Sequence, residues 1–525
     1  MSVEHSNQID KPNSKNSQTP EQVAQQLQEC CESFRQLAID SASEGRSFDQ
    51  TERAVWSLVL KTGFRAMELF TKLQGVGDIG EQTTTDQGKT LQRSGTPADT
   101  VVRSIFGEHR FRQYTYSPGK NKKILLHPIS ARMQLPEHRW SYLLQEFSQM
   151  FCVESAFNQA ADHLKVVFGA EFAVDTLEQT NQRMGIQADT FLDQLPTPKK
   201  KEEGEIVVAT ADCKGVPLVK DDAAKVAAFE TAKKRPGNRR MATVTSVYTV
   251  DQHVRTAEQI VEALFRTEKA AATKANNSKT KKRPPPKNKH TSAHLPTTFV
   301  DDDVEVRISG IHEGTAWLAD QVSRRRKKLQ VLVLLMDGQE SLWDTAKMHL
   351  GEDEQLVEVL DIIHVATYAW EASLLFESSS EKRAAFTRAR LLRILQGEVR
   401  SVIRGLRRMG SLHQLRGEKL KDLDRICGYF EKHKSRMRYH QYLASGYPIA
   451  SGVIEGACGH LVKDRMERSG MRWTLESARS MLNVRAAFQS DYWERFCRQR
   501  VIELNQTAHP NRNLINGYTP LTLAC

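Results

Sequence analysis

No apolar run in this 525-residue chain nears the 18 residues that a membrane-spanning helix needs. Its opening, MSVEHSNQIDKPNSKNSQ, lacks the apolar core of a signal peptide, so a cytoplasmic, nucleoid-associated location is expected. The eight cysteines form no C-x-x-C pair and no Cys/His cluster of zinc-finger spacing, so they read as reduced and structural. Acids are scarce where bases gather. Residues 381–440 hold 17 Lys and Arg against six Asp and Glu, and residues 271–290 hold seven basic side chains and no acid. These absences argue against a membrane-spanning helix, a disulfide scaffold and a zinc finger.

What is present is a net charge of +11, a pI near 9.1 and 39% apolar residues. The length and apolar content suit two to four domains, and the uneven basic excess points to a nucleic acid rather than a membrane as partner.

Residues 1–20 read as a disordered tail. Residues 21–136 read as a helical region followed by a small β unit: apolar positions from Val23 to Phe70 recur at helical spacing, 75–98 looks like a loop, and Pro118-Gly119 joins two short strands. Residues 137–195 read as three short helices broken at Gly169 and Gly185. This spacing suits a helix-turn-helix-like DNA-binding region, with Glu178, Gln179, Asn181, Gln182 or Arg183 toward base edges.

After a charged linker the pattern changes to strands. IVVATAD ends in Asp212, VPLV suggests a short second strand beyond Gly215, and MATVTSVYTV a third. Residues 270–298, containing KTKKRPPPKNKH, read as a basic linker that its proline run keeps from folding. The RRRKK run at 324–328 reads as a helix end, where cations suit the dipole. LQVLVLLMDG is the most apolar strand and ends at Asp337; LVEVLDIIHV is a further buried strand carrying Asp361 and His364. Residues 368–445 are helical and strongly basic. In 446–473, GYPIASGVIEGACGHLVKDRMERSGMRW, Glu455 sits among small residues near the start of a helix that Ser451 can cap. Residues 506–525 form a tail with no usable motif.

Asp212, Asp337 and Glu455 thus occupy strand ends and a later helix. Acids at adjacent strand ends face one crevice, and carboxylates gathered there suit hard divalent cations, which relieve the mutual repulsion. Asp361 and His364 compete with Asp337 for the second position. Lys463, Arg465, Arg468 and Arg472 form a basic stripe able to grip phosphates, and Trp473 either stacks on a base or packs in a core.

MDGQESLW, LDIIHVATYAW, KKRPGNRRMATVTSVYTV and the 446–473 stretch resemble successive landmarks of bacterial insertion-sequence transposases of the DDE class, in particular the ISKra-type group. The resemblance covers about residues 100–500 and implies a ribonuclease-H-like α/β core, a mixed five-stranded sheet flanked by helices. That core would span 205–367 and 446–505, interrupted by a basic helical insertion at 368–445. It implies Asp212, Asp337 and Glu455 as ligands of two Mg²⁺ or Mn²⁺ ions in two-metal phosphoryl transfer. The implied partners are the element's terminal repeats and target DNA, bound by a homo-oligomer. A decayed DNA-binding protein and a ribonuclease-H-like resolvase are the alternatives.

Overall fold

The computed structural model describes residues 18–227, 237–265, 283–301, 304–468 and 470–523. Residues 1–17 of the expected tail, 270–282 of the expected linker and the first four residues of KKRPGNRR lie outside the described residues. The chain forms two compact units, Met1–Thr180 with Glu494–Cys525, and Asn181–Trp493.

In the first unit, helices Pro20–Ser43 and Phe48–Leu73 each open with a reciprocal cap, Thr19 with Gln22 and Ser47 with Gln50. The stretch expected as a loop contains strands Gln82–Thr84 and Thr90–Arg93, which pair with each other and, through the second, with Tyr116–Ser117. A hairpin of Ala98–Ser104 and Gly107–Gln113 turns at residues 105–106, ahead of the Pro118-Gly119 turn the sequence suggests. Ser104 makes that turn by accepting the Phe106 N–H at 3.1 Å, and Gly107 follows at φ +134°. The C-terminal segment is not a free tail: Ile515 is buried beside Leu91 and Tyr116, and the Tyr518 hydroxyl donates to the Gln74 carbonyl at 2.7 Å.

The second unit is built on a five-stranded mixed sheet. Its strands are β1 (Ile206–Pro217), β2 (Arg239–Val250), β3 (Lys287–His294), β4 (Leu332–Met336) and β5 (Leu356–Leu360), in the order β5-β4-β1-β2-β3. β1, β2 and β3 are antiparallel neighbours; β4 runs parallel to both β1 and β5. Alternate residues feed two cores. Val207, Ala209, Leu332 and Leu334 meet Leu318 and Trp343 on one face, while Ile206, Val208, Val333 and Leu335 meet the later helices on the other.

Several sequence readings change here. Gly215 and Val216 continue β1 rather than opening a second strand, because β2 pairs with β1 along its whole length. Within the expected linker, Lys287–His294 is the edge strand β3. Its polar sequence hides it, but an edge strand needs only one paired side and tolerates lysine. Inside the sheet, the Ser246 hydroxyl lies 3.0 Å from that of Thr291. Helix Val174–Asp193 runs through Gly185, which permits a close approach: a Cβ there would lie 2.4 Å from the Cα of Ser480. On the same helix Asn181 is buried and donates toward Met481 Sδ, and Gln182 donates to Ser477 Oγ at 2.8 Å. Those two side chains face protein, not base edges. Arg325, within the RRRKK run, is buried and pairs with Glu203 at 2.8 Å.

β5 stops at Leu360. Asp361 caps the next helix, Ile362–Phe376, by accepting the Ile363 N–H at 3.0 Å, so His364 lies on a helix rather than a strand. Helices Ser380–Leu395, Val399–Leu412, Glu418–His433 and Tyr439–Ala444 follow, packed on the Ile206–Leu335 face. The Glu455 helix, Gly452–Ala457, is short and passes into a π-helical turn, Cys458–Lys463, a distortion that recurs at functional sites. No helix of the described residues is long and apolar enough to cross a membrane.

Candidate active site

β1 and β4 pair through Leu332 opposite Val207 and Leu334 opposite Ala209. Three positions beyond the last of these pairs stand Asp212, still inside β1 and paired there with Val244 of β2, and Asp337, one residue past the end of β4. Parallel neighbouring strands thus carry the two acids toward the same end of the sheet, near enough for Asp212 to bear on Asp337 electrostatically. Around Asp337 the turn is tightly held: its carboxylate accepts the Gln339 N–H at 2.9 Å, and its carbonyl accepts the Trp343 indole N–H at 2.6 Å. Gly338 is required because a Cβ there would lie 2.3 Å from the Tyr429 ring. Tyr429, stacked on Tyr368 at 3.9 Å between centroids, has a buried hydroxyl without a hydrogen-bond partner among the described residues.

The Asp212 carboxylate accepts the Cys213 N–H at 2.7 Å and the Cys458 thiol at 3.4 Å. Cys458 directly follows the Glu455 helix, so this thiol links that helix to β1. Burial pushes the Cys213 thiol up to about 11 and the Cys458 thiol higher still, with Asp212 reinforcing the second shift. Both remain protonated near neutrality, which suits packing and donation and does not suit thiolate ligation.

Glu455 comes to the same place from the other side. A ligand atom of Glu455, one of Asp361 and one of His364 all lie within 4.8 Å of one another. Partial burial raises the Glu455 carboxyl, Asp361 and Asp212 raise it further by repulsion, and His364 opposes them. Asp337 is raised chiefly by burial, with Asp212 adding to the shift and the Gln339 N–H, His364 and His433 opposing it. Asp212 thus bears on both Asp337 and Glu455, Asp361 bears on Glu455, and His364 opposes the upward shifts of Asp337, Asp361 and Glu455.

Asp361 is the most enclosed of the four, with no exposed surface. Besides the Ile363 N–H it accepts the Ser451 N–H at 3.2 Å and the Ser451 hydroxyl. The sequence suggests Ser451 as a cap for its own helix; instead its hydroxyl is spent on Asp361, and the helix has no side-chain cap. One buried carboxylate therefore joins the end of β5, the helix bearing His364 and the helix bearing Glu455.

The stripe beyond Glu455 divides. Lys463, Arg468 and Arg472 are exposed, and Arg468 donates to the Asp464 carbonyl at 3.0 Å. Arg465 is fully buried, its guanidinium 4.7 Å from the Trp473 ring centroid. Trp473 is itself buried, and its backbone pairs beside Leu218 at the end of β1. Burial corrects the phosphate-gripping reading of Arg465 and agrees with the core alternative for Trp473; the cation stacks on the indole inside the core. Ser451, Cys458 and Tyr429 escaped sequence reasoning as parts of the site. Ser451 and Cys458 read as a cap and as packing, and only the fold brings Tyr429 to Asp337.

The donor set fits a hard divalent cation: carboxylate oxygens dominate it, their crowding is relieved by positive charge, and the single imidazole is compatible with Mn²⁺ as well.

No family model matches the chain, and no curated protein matches it. Among solved structures, a Drosophila P element transposase strand transfer complex is similar over 72% of this chain and 88% of that one, at 10% identity and a TM-score of 0.21. A score of that size carries no weight for fold or function.

Proposed function

We propose that the chain is a DDE-type DNA transposase in which Asp212, Asp337 and Glu455 hold two Mg²⁺ or Mn²⁺ ions and which cuts and joins DNA strands. What supports this reading is that Asp212 and Asp337 follow the paired stretch of the parallel neighbours β1 and β4, and that Asp337 and Glu455, the latter on a helix beyond an all-helical insertion, both feel the charge of Asp212. A first acid on the first strand, a second just after the fourth and a third on a helix after an insertion is the arrangement implied by the resemblance to insertion-sequence transposases of the ISKra type. The order β5-β4-β1-β2-β3 agrees with a ribonuclease-H-like core.

Bound divalent ions would activate the attacking oxygen and stabilise the leaving one in an in-line displacement at phosphorus. The chain's own residues give that chemistry its geometry. Asp212 is fixed by the Cys213 N–H and the Cys458 thiol, Asp337 by its turn, and Glu455 by the Asp361 to Ser451 tie. Rigid placement of charged groups at a reacting centre is what lowers the barrier. On this reading the substrates are the terminal repeats of a mobile element and then target DNA, held by a homo-oligomer in the bacterial cytoplasm.

The compact group of Asp361, His364 and Glu455 favours a second assignment, in which Asp361 replaces Asp337 as a ligand. Asp361 already accepts three donors and is sealed from solvent, so we assign it to positioning. Mn²⁺ titration calorimetry on Asp337→Asn and Asp361→Asn separates the two. The first should lose a binding event outright; the second should keep both with weakened affinity. The reverse pattern moves the ligand to Asp361.

A further inference from the structure

In the helical insertion, helix Val399–Leu412 has two unlike faces. Val399, Val402, Ile403 and Leu406 are buried against the bundle, while Arg400, Arg404, Arg407 and Arg408 are exposed. Arg400, Arg404 and Arg408 recur every four residues, a line of cations about 12 Å long along the axis. None has a carboxylate within ion-pairing distance among the described residues. Arg404 touches only the Ser401 hydroxyl, at 3.5 Å, and Glu431, near enough to feel Arg400 and Arg407, is already paired with Lys434. Beside this line lies a groove of about 300 Å³ lined by Arg390, Arg393, Arg408, Leu406, Met409 and Leu412.

A protein that needed only solubility would mix its charges here. Residues 381–440 instead carry a basic surplus equal to that of the entire chain, 17 − 6 = 11. Such a surface asks for a polyanion. Membrane lipid fits poorly, because the helix spends its apolar face on the bundle and has little left to insert. DNA fits in position as well. The neighbouring helix, Glu418–His433, supplies Tyr429, whose ring lies against Gly338 next to Asp337, so the insertion abuts the acid cluster.

We propose that the Arg400, Arg404 and Arg408 face, continued by the adjoining groove at Arg390, seats the phosphate backbone of the DNA flanking the position to be cut. This rests on the phosphoryl-transfer reading but adds a surface that reading does not require. The contacts would be to phosphates alone, holding the duplex in register without reading its sequence.

The test is fluorescence anisotropy of a labelled DNA duplex against salt, using the full-length protein and the triple variant Arg400→Ala/Arg404→Ala/Arg408→Ala. Loss of three phosphate contacts should reduce the slope of log K against log[salt] by about 2.7 and weaken binding tenfold or more near 0.1 M salt. Thermal melting should be unchanged, since the three side chains are exposed and Ala favours helix. An unchanged slope, or binding of anionic phosphatidylserine vesicles without binding of DNA, overturns the proposal. Strand cutting by Asp212→Asn is measured alongside. If Asp212→Asn still cuts while the triple variant loses its slope, the catalytic assignment fails and the docking surface stands; if the slope alone is unchanged, the converse holds.

Discussion

The buried carboxylate of Asp361 takes both the amide and the hydroxyl of Ser451, the residue from which the Glu455 helix departs. Ser451→Ala should leave one oxygen of a fully buried acid short of a donor. A cost of about 1–3 kcal/mol in unfolding free energy is expected by urea denaturation. Mn²⁺ affinity should fall as well, because Glu455 loses its anchor. Loss of stability with unchanged Mn²⁺ affinity would reduce the tie to a purely structural one.

Two helix glycines, Gly456 at the site and Gly185 away from it, differ in what stands over them. A Cβ on Gly456 meets nothing within 4 Å, so Gly456→Ala should stabilise the fold by up to about 1 kcal/mol. Gly185→Ala, aimed at the Ser480 backbone, should destabilise it instead. Melting temperatures of the two variants should move in opposite directions.

Arg465 lies in the core over Trp473 and not on the surface. Arg465→Lys should therefore lower stability, by about 2 kcal/mol, since an ammonium cannot reproduce the stacked guanidinium. The salt dependence of DNA binding by the folded fraction should not change. A changed salt slope at unchanged stability would return this residue to the DNA surface.

His290 on β3 sits between the Tyr492 hydroxyl, at 2.8 Å, and Gln321. Burial lowers it from 6.5 to about 4, with Arg325 adding and the Gln321 hydrogen bond opposing. A histidine whose folded value is depressed contributes stability that is complete above 6.5 and lost as the pH falls toward 4, because the unfolded chain binds the proton first. Roughly 3 kcal/mol is at stake across that window. Urea unfolding of wild type and His290→Gln at pH 7 and pH 4.5 should show a shallower acid loss in the variant.

Parts of this arrangement were legible in the sequence and parts were not. The apolar runs ending in Asp212 and Asp337 announce strands by themselves, and Glu455 stands out in a small-residue helix. Which strands neighbour which cannot be read from periodicity, so the pairing of β4 with β1, which carries Asp337 and Asp212 to the same end of the sheet, needed the fold. KNKHTSAH does not announce β3 because it has no apolar alternation: His290, Thr291 and Ser292 are buried on alternating faces where apolar residues would give the signal. Asp361 was placed within a strand because Leu-Asp-Ile-Ile-His reads as a continuous apolar run, whereas its carboxylate starts a helix. Arg465 was assigned to DNA because a charged side chain on a helix is normally solvated, and only tertiary packing could bury it.

The central claim is that Asp212, Asp337 and Glu455 act together on a phosphodiester. The most direct measurement is Mg²⁺- or Mn²⁺-dependent cutting of duplex DNA that carries the sequences flanking the coding region, by wild type and by Asp212→Asn, Asp337→Asn and Glu455→Gln. Wild type should nick the DNA only with the metal, and each variant should lose at least about a thousandfold in rate while still binding the duplex. Metal-independent cutting, or cutting at the wild-type rate by any of the three variants, would contradict the assignment.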